Sequence, residues 1–152
     1  MKKHLRPISL CLAAGLLLAL AHPAWALEYR STGRATLLYD APSTAASKIA
    51  IAGSGLPLEV VVDTDAWVKV RDPSGRLAWV EKSALGGAKT VMVKADASVI
   101  RQQPRADAEV VFHAERGLLL EIAGEADPYG WLQVRHANGL AGWLPAHEAW
   151  GR

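Results

Sequence analysis

The chain contains one unit written twice, and that repetition limits its architecture more than any single motif. Shifting residues 35–65 by 62 positions aligns Ala35 with Ala97, Pro42 with Pro104, Gly55 with Gly117, Leu58-Glu59 with Leu120-Glu121 and Asp65 with Asp127. Shifting residues 67–80 by 64 aligns Trp67 with Trp131, Val70-Arg71 with Val134-Arg135, Gly75 with Gly139 and Trp79 with Trp143. The change of offset falls at Pro128-Tyr129-Gly130, which marks a loop, because a strand register does not absorb two extra residues. Each copy is roughly 60 residues, about the smallest size that folds alone. Two copies at this period indicate tandem small domains rather than a solenoid.

Within each copy, short apolar and β-branched runs alternate with turn formers. They cover 35–39, 48–52, 58–63, 67–71 and 77–80 in the first, and 98–101, 110–113, 118–123, 131–135 and 140–144 in the second. Five such runs per copy predict an all-β fold in which each copy is a small barrel or sandwich. In Trp67-Val68-Lys69-Val70-Arg71, alternation puts Val68 on the face opposite Trp67, Lys69 and Arg71. Gly75 and Gly139 suit the positive-φ position of a tight hairpin, and Asn138-Gly139 is a strong signal for one. Leu85-Gly86-Gly87-Ala88 is a short junction, so the two units should touch rather than swing freely.

The first 26 residues differ from the rest. Lys2, Lys3 and Arg6 precede an apolar run from Ile8 to Ala21, and Ala24-Trp25-Ala26 supplies small residues for cleavage. That three-part pattern predicts a secretory signal peptide over 1–26, followed by domains at 27–86 and 87–152. The apolar run is shorter than the ~20 residues a helix needs to span a bilayer, so no permanent anchor is expected, and the destination is the periplasm or the exterior. Cys11, the single cysteine, leaves with the leader, and disulfides, thiol catalysis and Cys-ligated zinc leave with it. Removal also takes three of 17 basic residues and none of 15 acidic ones, turning a net charge of +2 into about −1. A nucleic-acid partner is not expected of such a chain.

Catalytic signatures are missing from the sequence. His113, His136 and His147, spaced by 23 and 11, fit no zinc pattern. Glu59 and Glu121, like Asp65 and Asp127, recur once per copy and so do not form a paired acid and base; the glutamates are expected on the solvent face and the aspartates as turn caps. No phosphate loop, nucleophile elbow or His-Glu-x-x-His pattern occurs. A non-enzyme without cofactor or metal is expected.

Trp-x-x-Val-Arg, a turn ending in Gly, then a small residue, Trp and an aliphatic occur at Trp67 to Val80 and again at Trp131 to Leu144. Pro42 or Pro104 and Gly55 or Gly117 precede them in the same order, and Trp150-Gly151 closes the chain. This order is similar to the bacterial SH3-like (SH3b) pattern, and residues 28–152 resemble exported tandem SH3-like proteins of proteobacteria. The resemblance implies an SH3-like barrel in each half and a binding role in the cell envelope, toward peptidoglycan, cell-wall peptide or a periplasmic protein. Two departures stand out: the family's Leu-x-Val-Arg entry strand reads Leu37-Leu38-Tyr39-Asp40 in the first copy, its arginine surviving only as Arg101 in the second, and Ala78 occupies the position of Gly142.

By the same resemblance, a groove would be framed by Tyr39, Asp65, Trp67 and Lys69 in the first repeat and by Asp127, Tyr129, Trp131 and Gln133 in the second. Tyr129 adds an aromatic, which favours the second repeat as the better binder. Trp67 and Trp131 open a strand after a loop, a position open to either groove or core, whereas Trp79 and Trp143 are expected in the core. The alternative role is a scaffold or regulatory subunit that docks a periplasmic protein without binding the wall.

Overall fold

The computed structural model describes residues 26–152; apart from Ala26, the expected signal peptide lies outside the described residues. The first repeat forms β1 (Tyr29–Ser31), β2 (Thr36–Tyr39), β3 (Lys48–Ala52), β4 (Pro57–Asp63), β5 (Trp67–Arg71) and β6 (Leu77–Glu81), followed by a 3-10 turn at Lys82–Ala84. The second forms β7 (Thr90–Val93), β8 (Ala97–Arg101), β9 (Val110–Glu115), β10 (Leu119–Ala126), β11 (Trp131–Arg135) and β12 (Ala141–Pro145), a 3-10 turn at Ala146–Glu148 and β13 (Ala149–Trp150). Strand order is β1-β4-β5-β6-β2-β3 in one sheet and β13-β7-β10-β11-β12-β8-β9 in the other, with every pairing antiparallel.

The fold is all-β, as expected, but the sheets are not closed barrels. In the first, β1 and β3 remain edges, and β2 meets β6 only at Tyr39 opposite Trp79. Register shifts between Leu38 and Tyr39 and between Val60 and Val62 bend these short strands. The curved sheet is then shut by side chains rather than by a last hydrogen-bonded ladder. Leu38, Leu58, Val68, Val70 and Val80 fill the first core, and Val91, Val93, Ile100, Leu120, Val134 and Leu144 fill the second.

Period-2 alternation explains which residues enter. Along β5, Val68 and Val70 point inward while Trp67, Lys69 and Arg71 point outward, and β11 repeats this with Leu132 and Val134 inside. On β6 and β12 the inward positions are Ala78 and Val80, and Gly142 and Leu144. Trp79 and Trp143 therefore lie half-buried on the outer face, not in the core as expected. The aliphatic residues beside them already occupy the interior, and an indole has no room there.

Gly142 marks a tight crossing of β12 over β8 in the second repeat. A Cβ at that position would stand 2.6 Å from the Arg101 carbonyl oxygen and 2.7 Å from Ile100 Cγ2. The equivalent Ala78 is accommodated beside β2 in the first repeat. Gly142→Ala is expected to destabilise the second repeat by about 2 kcal/mol through overpacking, seen as a lower urea midpoint. An unchanged midpoint would show that β8 and β12 can move apart.

The two repeats touch along a polar seam, as the short junction requires. The Thr90 amide donates to Ser31 Oγ (3.0 Å), and the Thr90 hydroxyl donates to the Gly55 carbonyl (2.6 Å). The two hydroxyls of Ser31 and Thr90 are themselves 2.7 Å apart. On the other side of β7, Trp150 Nε1 donates to the Pro57 carbonyl (3.2 Å), and the Trp150 ring meets Tyr29 edge-on at 5.3 Å. These bonds link strands of one sheet to strands of the other, so the relative placement of the repeats rests on side chains and not only on the linker.

Candidate binding groove

The outward side chains of β2, β5 and β6 form an aromatic surface. Cross-strand register sets Tyr39 and Lys69 opposite Trp79, and Trp67 opposite Glu81. Tyr39 and Trp67 rings meet edge-on, 5.3 Å apart at 88°. Lys69 Nζ lies 5.9 Å from the Trp79 ring centroid, within cation–π range. Tyr39 is buried by this packing, whereas Trp67 stays half-exposed.

Two loops and the 3-10 turn raise walls around Trp67. Pro42, Ser43 and Thr44 come from the β2–β3 loop, Asp65 and Ala66 from the β4–β5 loop, and Lys82 and Ser83 from the turn after β6. With Trp67 and Glu81 they line an open cleft of about 660 Å³. Thr64, not Asp65, holds the β4–β5 turn: its hydroxyl donates to the Trp67 carbonyl (2.6 Å) and accepts from the Trp67 amide (3.2 Å). Asp65 is left exposed on the cleft rim, which corrects the expectation that it caps the turn.

Lys82 is already engaged. Its ammonium sits 2.7 Å from Asp63 Oδ1 and donates to the Thr64 carbonyl (3.1 Å), while Arg30 binds Asp63 Oδ2 at 2.7 Å. The hydrogen bond from Lys82, and after it that from Arg30, hold the Asp63 carboxyl below the usual carboxylate range.

The four residues named for the second repeat assemble differently. Trp131 is half-buried on the outer face, but Arg101 occupies the place of Tyr39 opposite Trp143, and Pro145 the place of Glu81 opposite Trp131. The Arg101 guanidinium turns away to the Ala108 carbonyl (2.7 Å). Asp127 caps its own loop by accepting from the Tyr129 amide (2.7 Å), Gln133 lies against Gly124, and Tyr129, 86% exposed, stands at the loop tip. The aromatic pair and its walled cleft thus belong to the first repeat, although Tyr129 had favoured the second.

The repeated glutamates also part ways. Glu121 is exposed as expected, but Glu59 is buried beside β1, where Tyr29 faces it across the ladder and Arg71 Nη1 donates to its two oxygens at 2.8 and 3.0 Å. Burial, and after it the Glu59 charge, push the Tyr29 phenol up. Glu59 is a packed ion-pair residue. His113 and His147 are exposed, and the His136 ring lies 5.9 Å from Phe112. Among the described residues no group of three or more His, Cys, Asp and Glu could hold a metal ion.

Glu81 and Lys82 contribute to the cleft without having been singled out in the sequence, and Pro42, read there as a marker of the repeat, lines it too. The signal for Glu81 was its place two residues after Trp79, on the same face of β6 and opposite Trp67.

Comparison with known proteins agrees with this architecture. The family described as "Bacterial SH3 domain" matches twice, over residues 34–87 and 94–151. No curated protein matches the chain. Among solved structures, NlpC1 from Trichomonas vaginalis aligns at 10% identity with a TM-score of 0.38, covering 90% of this chain and 50% of its own. NlpC2 from Trichomonas vaginalis aligns at 11% identity with a TM-score of 0.36, covering 83% and 48%. The chain spans about half the length of those two structures. Two matches over most of the chain, each falling on one open β-sheet with its own core, make this protein a member of the bacterial SH3 domain family, a tandem binding module with one domain in each repeat.

Proposed function

We propose that the protein is an exported, non-catalytic binder of cell-wall peptide, acting in the periplasm through the cleft of the first repeat. The observation that carries this reading is Trp67, which packs edge-on against Tyr39 and lines a cleft of about 660 Å³. A half-exposed indole held rigid by a buried tyrosine offers area at little entropic cost, and an open groove of this kind suits an extended peptide. The sequence pattern of the leader and the family membership point the same way.

The test is sedimentation with purified insoluble murein, using the full chain expressed with its leader and recovered from the periplasm. N-terminal sequencing of the recovered protein should begin at Leu27. Wild type should sediment with murein, and Trp67→Ala should weaken the association about 30-fold, as for a central aromatic anchor, with an unchanged circular dichroism spectrum. Trp131→Ala should change it by less than about two-fold, because that ring lacks the tyrosine partner. Wild type staying in the supernatant would instead favour a scaffold that docks a periplasmic protein.

A further inference from the structure

The charges around the cleft specify its ligand further. Glu81 stands opposite Trp67 on the neighbouring strand, and Asp65 lies on the loop that leads into Trp67. Neither carboxylate has an ion-pair or side-chain hydrogen-bond partner among the described residues. The one cation lining the cleft, Lys82, is bound to Asp63, whose carboxylate also serves Arg30. Trp67 thus shares its cleft with two carboxylates that the one lining cation does not pair with.

The adjacent part of the same surface shows what such an indole accepts. Lys69 places its ammonium over Trp79, two residues along the strand and on the same face as the Trp67–Glu81 pair. The second repeat lacks the arrangement: Pro145 replaces Glu81, Asp127 is spent on its own loop, and Arg101 replaces Tyr39. Duplication alone therefore does not account for the charge.

We infer that the first-repeat cleft binds the ammonium group of an extended peptide, seated against Trp67 between Asp65 and Glu81. The assignment rests on the groove proposed above and narrows its ligand to amine-bearing peptides. An ammonium gains from the indole face and from each carboxylate, whereas an acetylated amine loses all three attractions. The ammonium can come from a chain's free α-amine or from a lysine-type side chain.

The test follows the Trp67 indole N–H by NMR in the full protein, assigned with Trp67→Phe, during titration with short peptides. Ala-Ala-Ala-amide presents only an α-amine, N-acetyl-Ala-Lys-amide presents only a side-chain amine, and N-acetyl-Ala-Ala-amide presents neither. At least one amine-bearing peptide should shift Trp67, and which one does identifies the source; the amine-free peptide should leave it in place. Asp65→Asn and Glu81→Gln should each weaken binding about ten-fold, while Asp127→Asn should not, and added salt should weaken the wild type. A Trp67 shift that is equal for the amine-free peptide, indifferent to both substitutions, or absent with every peptide would overturn the assignment.

Murein separates this assignment from the wall-binding reading. Retention that survives chemical acetylation of murein amines would remove the ammonium assignment and leave wall binding intact. Amine-peptide binding without retention on murein would do the reverse.

Discussion

Gly151→Ala is expected to split thermal unfolding of the protein into two calorimetric transitions. Gly151 has φ +109°, a conformation in which an L side chain is strained by about 1–3 kcal/mol. Its Cβ would also stand 2.6 and 2.9 Å from Pro57 Cβ and Cγ, and 3.0 Å from the Thr90 carbonyl oxygen. Proline ring and backbone atoms yield little, so overpacking adds about 1–3 kcal/mol. The simplest relief is withdrawal of the terminal strand, which carries Trp150 off Pro57 and Tyr29. The seam then loses one side, and each core unfolds on its own schedule. A single transition at an unchanged temperature would show that Trp150 and Gly151 do not couple the repeats.

Leu58→Ala should all but unfold the first repeat, whereas Trp79→Ala should barely move it, although tryptophan is much the larger side chain. Leu58 has 0% exposure and lies in the first core, so truncation costs about 2–5 kcal/mol. A domain of roughly 60 residues has about 3–9 kcal/mol in total. Trp79 lies outside that core, half-buried on the outer face beneath Lys69, and its loss should cost about 1 kcal/mol. Urea midpoints of the two variants decide the matter. A Trp79→Ala midpoint as low as that of Leu58→Ala would return the indole to the core.

Strand positions were legible wherever local pattern alone decides them. All ten runs read from alternation and turn residues became strands, and the Gly75 and Gly139 hairpins formed with φ of 87° and 94°. The strands that escaped notice, β1, β7 and β13, escaped because internal comparison finds only matching residues. β1 and β7 are equivalent in space, with Tyr29 opposite Glu59 and Thr90 opposite Glu121, yet Tyr29-Arg30-Ser31 and Thr90-Val91-Met92 share no residue. One covers the buried Glu59 carboxylate, the other an aliphatic core.

The groove was half legible for a similar reason. Tyr39, Asp65, Trp67 and Lys69 were named together from the family resemblance, whereas strand alternation by itself put only Trp67 and Lys69 on a shared face. Cross-strand register is not written in any one strand, so the pairing of Glu81 with Trp67 and the diversion of Lys82 to Asp63 emerged only with the folded sheet. The same holds for Trp79 and Trp143, whose aliphatic neighbours suggested burial but in fact displaced them from it.

Arg101 marks a place where the two repeats secure the same loop by different means. In the first repeat, the loop after β2 is tied by Asp40, whose carboxylate accepts from the Ser47 amide (3.0 Å) while its own amide donates to the Ser47 carbonyl (3.1 Å). In the second, the backbone bond persists between Gln102 and Glu109 (2.9 Å), but the side-chain tie has passed to Arg101, which holds the Ala108 carbonyl. Tyrosine placed at position 101 would untie that loop before it built any aromatic pair. The two equivalent loops therefore hang on different side chains, and exchanging residues between the copies would cost one repeat an anchor that the other never used.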